Sequence, residues 1–160
     1  MSNEQKRYET NSRSSGIALF FNLMMSNDQD ARCYREAAAG TTDPKVAAYL
    51  SSLAKHRQSL YEGLFEWLSD LPPSPLPMSK QGRSYLHEHK EAFLKAVSDQ
   101  NQSKIVEHCL ASEQAISEDY QTAVAQTGVV PAMHDFVEKQ HKHVLSLLRQ
   151  VERMEIVPAF

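Results

Sequence analysis

Glycine, cysteine and tryptophan are scarce in this chain, at five, two and one among 160 residues. With so few glycines, few β-branched runs and long Ala-, Leu-, Glu- and Lys-rich segments, the expected class is all-α. The two cysteines, Cys33 and Cys109, lie far apart and in no CxxC spacing. They therefore indicate neither a disulfide framework nor a zinc site, and both read as small core residues. Positive charge is not in excess either: the formal charge is −3 with seven histidines counted as neutral. Neither nucleic acid nor an anionic membrane is an implied partner. No segment approaches the roughly 20 apolar residues of a spanning helix, and the opening MSNEQKRYETNSRSS lacks the apolar stretch of a secretory signal. A cytoplasmic protein is the expectation. Without a Ser/His/Asp set, a glycine-rich phosphate loop or a Walker motif, nucleophilic hydrolysis and nucleotide chemistry have no support, and no catalytic residue is assigned.

What is present is enough apolar content, 41%, for one continuous core. Residues 1–14 read as a flexible polar tail and 15–157 as a single helical domain, with helices expected over about 15–39, 44–71, 79–98, 101–126 and 131–156. Gly40 stands where helices end, and Asp43-Pro44 restarts one, with Asp43 as N-cap. The turn between them is short, so the first two helices should be antiparallel neighbours. The proline run 72–77, PPSPLP, cannot be helix and reads as a stiff connector. The shorter helix over 79–98 then acts as a crossover. A second short turn, Gly128 to Pro131, pairs the last two helices in the same way.

Each long helix carries an apolar seam in steps of three and four, and each seam has one polar intruder. Asn27 interrupts Phe20, Met24, Ala31, Tyr34 and Ala38; Arg57 interrupts Val46, Leu50, Leu53, Leu60, Leu64, Trp67 and Leu71. Glu113 interrupts Val106, Cys109, Ile116, Tyr120 and Val124, and Gln140 interrupts Met133, Val137, Val144, Leu147, Val151 and Met154. At about 100° per residue, His143 lies beside Gln140, whereas Glu138 and His141 turn outward. His87 and His89, two residues apart on a helix, are a poor chelate and read as surface residues. A weak duplication relates the hairpins: Asn27 precedes Tyr34 by the same interval as Glu113 precedes Tyr120. The intruders Asn27, Arg57, Glu113 and Gln140, with His143, are thus expected at one level of a bundle.

This layout is similar to the ferritin-like superfamily, and the runs CYREAAAGTTDPKVAAYLSSLAKHRQSLYEGL and KIVEHCLASEQAISEDYQTAV resemble an uncharacterised bacterial family within it. The resemblance implies a ferritin-like four-helix bundle of two antiparallel hairpins with an additional crossover helix. It also implies a dimetal centre made of a glutamate from two helices and Glu-x-x-His from the other two. Of those positions only Glu113 and His143 keep a ligand; Asn27, Arg57, Leu60 and Gln140 occupy the others. Arg57 brings positive charge where metal would sit, so the first expectation is a metal-free polar network in a protein that acts by binding or assembly. No cofactor is then required. The alternative is an iron or manganese oxidoreductase using a displaced site of Glu113, His143 and Asp30, or nearby Asp28 or Glu36. A third reading is a homodimer or other protein partner held through Phe21, Tyr61 and Trp67, although Trp67 reads more readily as a core plug.

Overall fold

The computed structural model describes residues 3–71 and 84–153. Among them it is entirely helical: α1 (Asn3–Gly40), α2 (Pro44–Ser69), α3 (Tyr85–Glu88), α4 (Lys90–Ser98), α5 (Gln102–Gln126) and α6 (Pro131–Arg153). The all-α class holds. The proline run 72–77 and the residues 154–157 at the expected end of the domain lie outside the described residues.

Three boundaries differ from expectation. Helix α1 begins at Asn3, so the polar stretch read as a flexible tail is helical from its third residue. Neither proline nor glycine occurs before Gly16, and once the packed part of a helix exists each further residue adds a hydrogen bond at low cost. Polarity of that stretch reports exposure, not backbone state. Helix α2 stops at Ser69, two residues short of Leu71. The expected crossover helix is broken at His89, which ends α3 and precedes α4.

Elsewhere the local chemistry acts as read. Asp43 accepts from the Lys45 and Val46 amides at 2.9 and 3.5 Å, with Pro44 in the first turn of α2. Such a cap is worth about 1 kcal/mol. Helix α4 closes through the Asn101 amide on the Ala96 carbonyl (2.9 Å), with Gln100 at φ 55° in the left-handed region. The Gln100 side chain then ties this corner to Thr42 in the α1–α2 turn (3.2 Å).

Helices α1 and α2 form one antiparallel hairpin and α5 and α6 another; α1 also packs on α5, and α3 and α4 lie against both. Gly16, in the first half of α1, is beside Thr127 and Met133 at the α5–α6 turn, where an added Cβ would come within 2.7 Å of the Met133 Cε. At the far end Ala37 joins Val46, Leu50, Phe93, Ile105 and Val151 in one apolar cluster. A second cluster gathers Phe20, Leu64, Ile116, Met133 and Val137. The chain thus has two greasy ends and something else between them. Of the residues read as an exposed docking patch, Phe21, Tyr61 and Trp67 are half-buried against the second cluster, and Trp67 meets Phe20 edge-on at 5.0 Å. The seam spacing already placed Trp67 inward; Phe21 and Tyr61 flank it.

Candidate functional site: a buried arginine layer

Between the two apolar clusters lies a polar layer centred on Arg57, which is completely buried. Its position is set by α2: Leu53 and Leu60, a turn to either side, are core residues, so the same face carries the guanidinium inward. Its guanidinium donates to Asp30 through Nη2 and to Glu113 through Nη1, and its Nε donates to the Asn27 Oδ1 at 2.7 Å. A guanidinium has five N–H donors and no acceptor, and three carboxyl or amide groups around it are what a dry site demands. Burial opposes the positive charge, but Glu113 and Asp30 more than offset that and hold the guanidinium protonated.

Two tyrosines extend the layer, and they do so reciprocally. Tyr34 of α1 donates to the Glu113 Oε2 on α5 (2.9 Å), while Tyr120 of α5 accepts from the Asn27 Nδ2 on α1 (3.1 Å). The duplicated spacing therefore has a physical meaning: each tyrosine reaches across to the polar residue of the other helix. Tyr120 in turn donates to the Gln140 Oε1 (2.6 Å), and Gln140 donates to the Leu60 carbonyl (3.1 Å). Burial and the Glu113 charge push the Tyr34 hydroxyl well above its usual titration range, so it remains a donor.

Asp30 has partners beyond the four long helices. Besides Arg57 it accepts from the Leu86 amide (3.3 Å) and from the Ser84 side chain, and so holds the first turn of α3 to the layer. It also floors a crevice of about 250 Å³ bordered by Ser26, Tyr85, Glu88, Glu118 and Asp119. Glu113 is drier: its Oε1, with the Tyr49 hydroxyl and the Ser112 hydroxyl, has no hydrogen-bond partner. Burial raises both carboxyls above their ordinary values, against the opposing pull of Arg57.

Of the residues expected at this level, Asn27, Arg57, Glu113 and Gln140 are brought together. His143 is not. It is exposed on the outer side of α6, with its Nε2 3.0 Å from the Nδ1 of His56 on α2. Its offset of one position in phase from the seam carries it past the core into the groove between helices. Asp30, read only as part of a displaced metal site, is instead the second anion on Arg57. The sign that could have found it was its place three residues after Asn27, on the same face of α1. Both tyrosines stood in the repeat but were read as seam residues. Glu138 lies at the surface, pairing with His134 (3.2 Å) and Lys142 (3.7 Å), and His87 and His89 are exposed, as read. Asp28 pairs with Arg32 (3.1 Å) and Glu36 with Lys90 (2.9 Å), both at the surface and away from Arg57.

A dimetal centre does not suit these donors. The two buried carboxyls are directed to a guanidinium, His143, which the resemblance implied as a ligand, faces outward, and among the described residues no group of three or more His, Cys, Asp or Glu could hold a metal ion. The cysteines, both buried and unpaired, add no ligand. Burial pushes the Cys33 thiol up to about 11 and Cys109 higher still, which keeps both protonated and unreactive. No helix among the described residues is long and apolar enough to cross a membrane. No protein-family model, curated protein or solved structure matches the chain.

Gly63 shows how closely the layer is fitted. A Cβ there would meet the Gln140 Nε2 at 2.9 Å, whereas one at Gly40 would meet nothing within 4 Å. Gly→Ala in a helix interior ordinarily gains up to about 1 kcal/mol, and less at a helix end. Gly40, the last residue of α1, has no positive φ, so Gly40→Ala is expected to raise the thermal midpoint slightly, while Gly63→Ala, inside α2, should lose stability because Gln140 must leave Leu60. Thermal unfolding of the two variants checks this, and an equal rise in both would contradict it.

Proposed function

We propose that this chain is a ferritin-like four-helix bundle in which a guanidinium has taken the place of the family's metal centre. On this reading it works by binding or assembly and not by redox chemistry. The observation that carries the proposal is Arg57, held by Asp30, Glu113 and Asn27 at the level where the resemblance would put metal. A cation fixed covalently to α2 cannot exchange, change oxidation state or bind oxygen. What it does is set helix register, because a one-turn slip of α2 would leave a buried charge without partners. The layer holds four helices and the first turn of α3 in one arrangement, a rigid frame on which outer surfaces can be presented. Among the described residues, the large apolar side chain most exposed on such a surface is Phe65, 53% exposed and stacked on Tyr61 at 6.0 Å.

Metal analysis tests the reading. The protein purified from iron- and manganese-supplemented cells should carry neither ion at stoichiometric level, and anaerobic titration with ferrous iron should show no saturable site that Glu113→Gln or Asp30→Asn removes. One bound iron or manganese per chain, lost in either variant, would sink it. Light scattering of the same preparation reports whether the chain assembles with itself.

A further inference from the structure

His56 and His143 meet across α2 and α6, a contact the central layer does not use. The His56 Nδ1 and His143 Nε2 are 3.0 Å apart, and the rings cross at 67° with centroids 5.1 Å apart. A contact this short needs one nitrogen to donate and the other to accept, so a single proton lies between two imidazoles. Metal–nitrogen bonds of about 2.0–2.1 Å place two cis nitrogens about 2.9 Å apart, and two tetrahedral ones about 3.3 Å apart. The observed separation falls at the cis end of that range. We infer that His56 and His143 form a two-histidine surface site for a late first-row divalent ion of tetragonal preference, of the copper(II) or nickel(II) class.

Several features suit the pair to this role. Each histidine stands on a long helix anchored by buried neighbours, Leu53 and Leu60 on α2 and Val144 and Leu147 on α6, so the backbone holds both rings within reach of one ion, toward which they turn when it binds. The adjacent cation Lys142 is engaged with Glu138 at 3.7 Å. Binding is a simple exchange: the proton between the rings moves through solvent to the outer nitrogen of its own imidazole, freeing both facing lone pairs for the ion. No net proton is released, and water completes the coordination on the open side.

The site lies outside the arginine layer and does not rest on the reading of that layer. Its test is titration of the untagged full chain with copper(II), followed by electron paramagnetic resonance. One ion per chain should bind with a nitrogen superhyperfine pattern from two imidazoles. His56→Ala and His143→Ala should each weaken binding at least tenfold, with the double variant no worse than either single one, while His87→Ala changes nothing. A wild-type spectrum without the two-nitrogen pattern overturns the proposal, as does an affinity within twofold of wild type in both single variants. Both side chains are at the surface, and thermal unfolding without copper verifies that the variants fold.

Discussion

Arg57→Met is expected to destabilise the protein by about 3–5 kcal/mol, the cost of breaking a buried ion pair by removing one partner. Methionine fills much of the volume but donates nothing, so Asn27, Asp30 and Glu113 lose a donor at one stroke. Against a typical total of 5–15 kcal/mol this is a large fraction. The triple variant Arg57→Met, Glu113→Leu, Asp30→Asn should recover part of the loss, since it removes the two charges that Arg57→Met leaves unpaired, while the Tyr34 hydroxyl loses its acceptor. Asparagine at position 30 keeps an acceptor for the Leu86 amide. Urea unfolding of the three proteins measures both effects. If Arg57→Met changed stability by less than about 1 kcal/mol, the layer would not be holding the helices.

Glu113→Gln should flatten the pH dependence of stability. The layer contains one guanidinium and two carboxyls, and a net negative charge in a dry core is costly, so burial raises both carboxyls above their ordinary values. Asp30 accepts from Arg57, Leu86 and Ser84 and borders a crevice, which favours its ionised form. Glu113 has an unpartnered Oε1 and lies in the dry interior, so it is the carboxyl that takes up a proton more readily as pH falls. An unfolded glutamate titrates near 4.5, and burial raises the folded value above that. Between the two values the folded chain binds more protons than the unfolded one. The stabilisation is therefore complete below 4.5 and declines as pH rises through the folded value, by at most about 1.4 kcal/mol per pH unit. Glutamine keeps an oxygen for Arg57 and Tyr34 but does not titrate. The free-energy difference between Glu113→Gln and wild type should thus move in favour of the variant from pH 5 to pH 8. Taking the difference cancels His108, His141 and His143, whose folded values burial lowers and which work in the opposite direction. A difference that moves the other way would show that Glu113 is ionised in the fold.

The legible part of the site was the part written in phase. Arg57, Asn27 and Glu113 interrupt otherwise apolar seams, and a helix whose neighbours at i±3 and i±4 are core residues must carry the intruder inward as well. Buried arginine then demands a carboxylate, and Glu113 is the one carboxylate among the seam intruders. Asp30 was harder to place, because an aspartate next to a seam can turn to solvent or to the core with equal backbone geometry. Its direction depends on Arg57 and on the first turn of α3, both distant in the chain. His143 failed for the complementary reason: an offset from the seam of one position is compatible with the core edge or with the outer groove, and His56 on α2 settled it.

The same division runs through the whole molecule. Composition, caps and periodicity determined that the chain is helical, where α2, α5 and α6 begin, and which residues interrupt the core, because these depend on contacts within a turn or two of one helix. Only the tertiary structure decided that α1 continues to Asn3, that the crossover breaks at His89, and that Tyr34 and Tyr120 exchange partners between α1 and α5. It also decided that one guanidinium on α2 ties down both α1 and α5. Those outcomes turn on hydrogen bonds and charge pairs between residues many positions apart, whose energies exist only once the helices have been brought side by side.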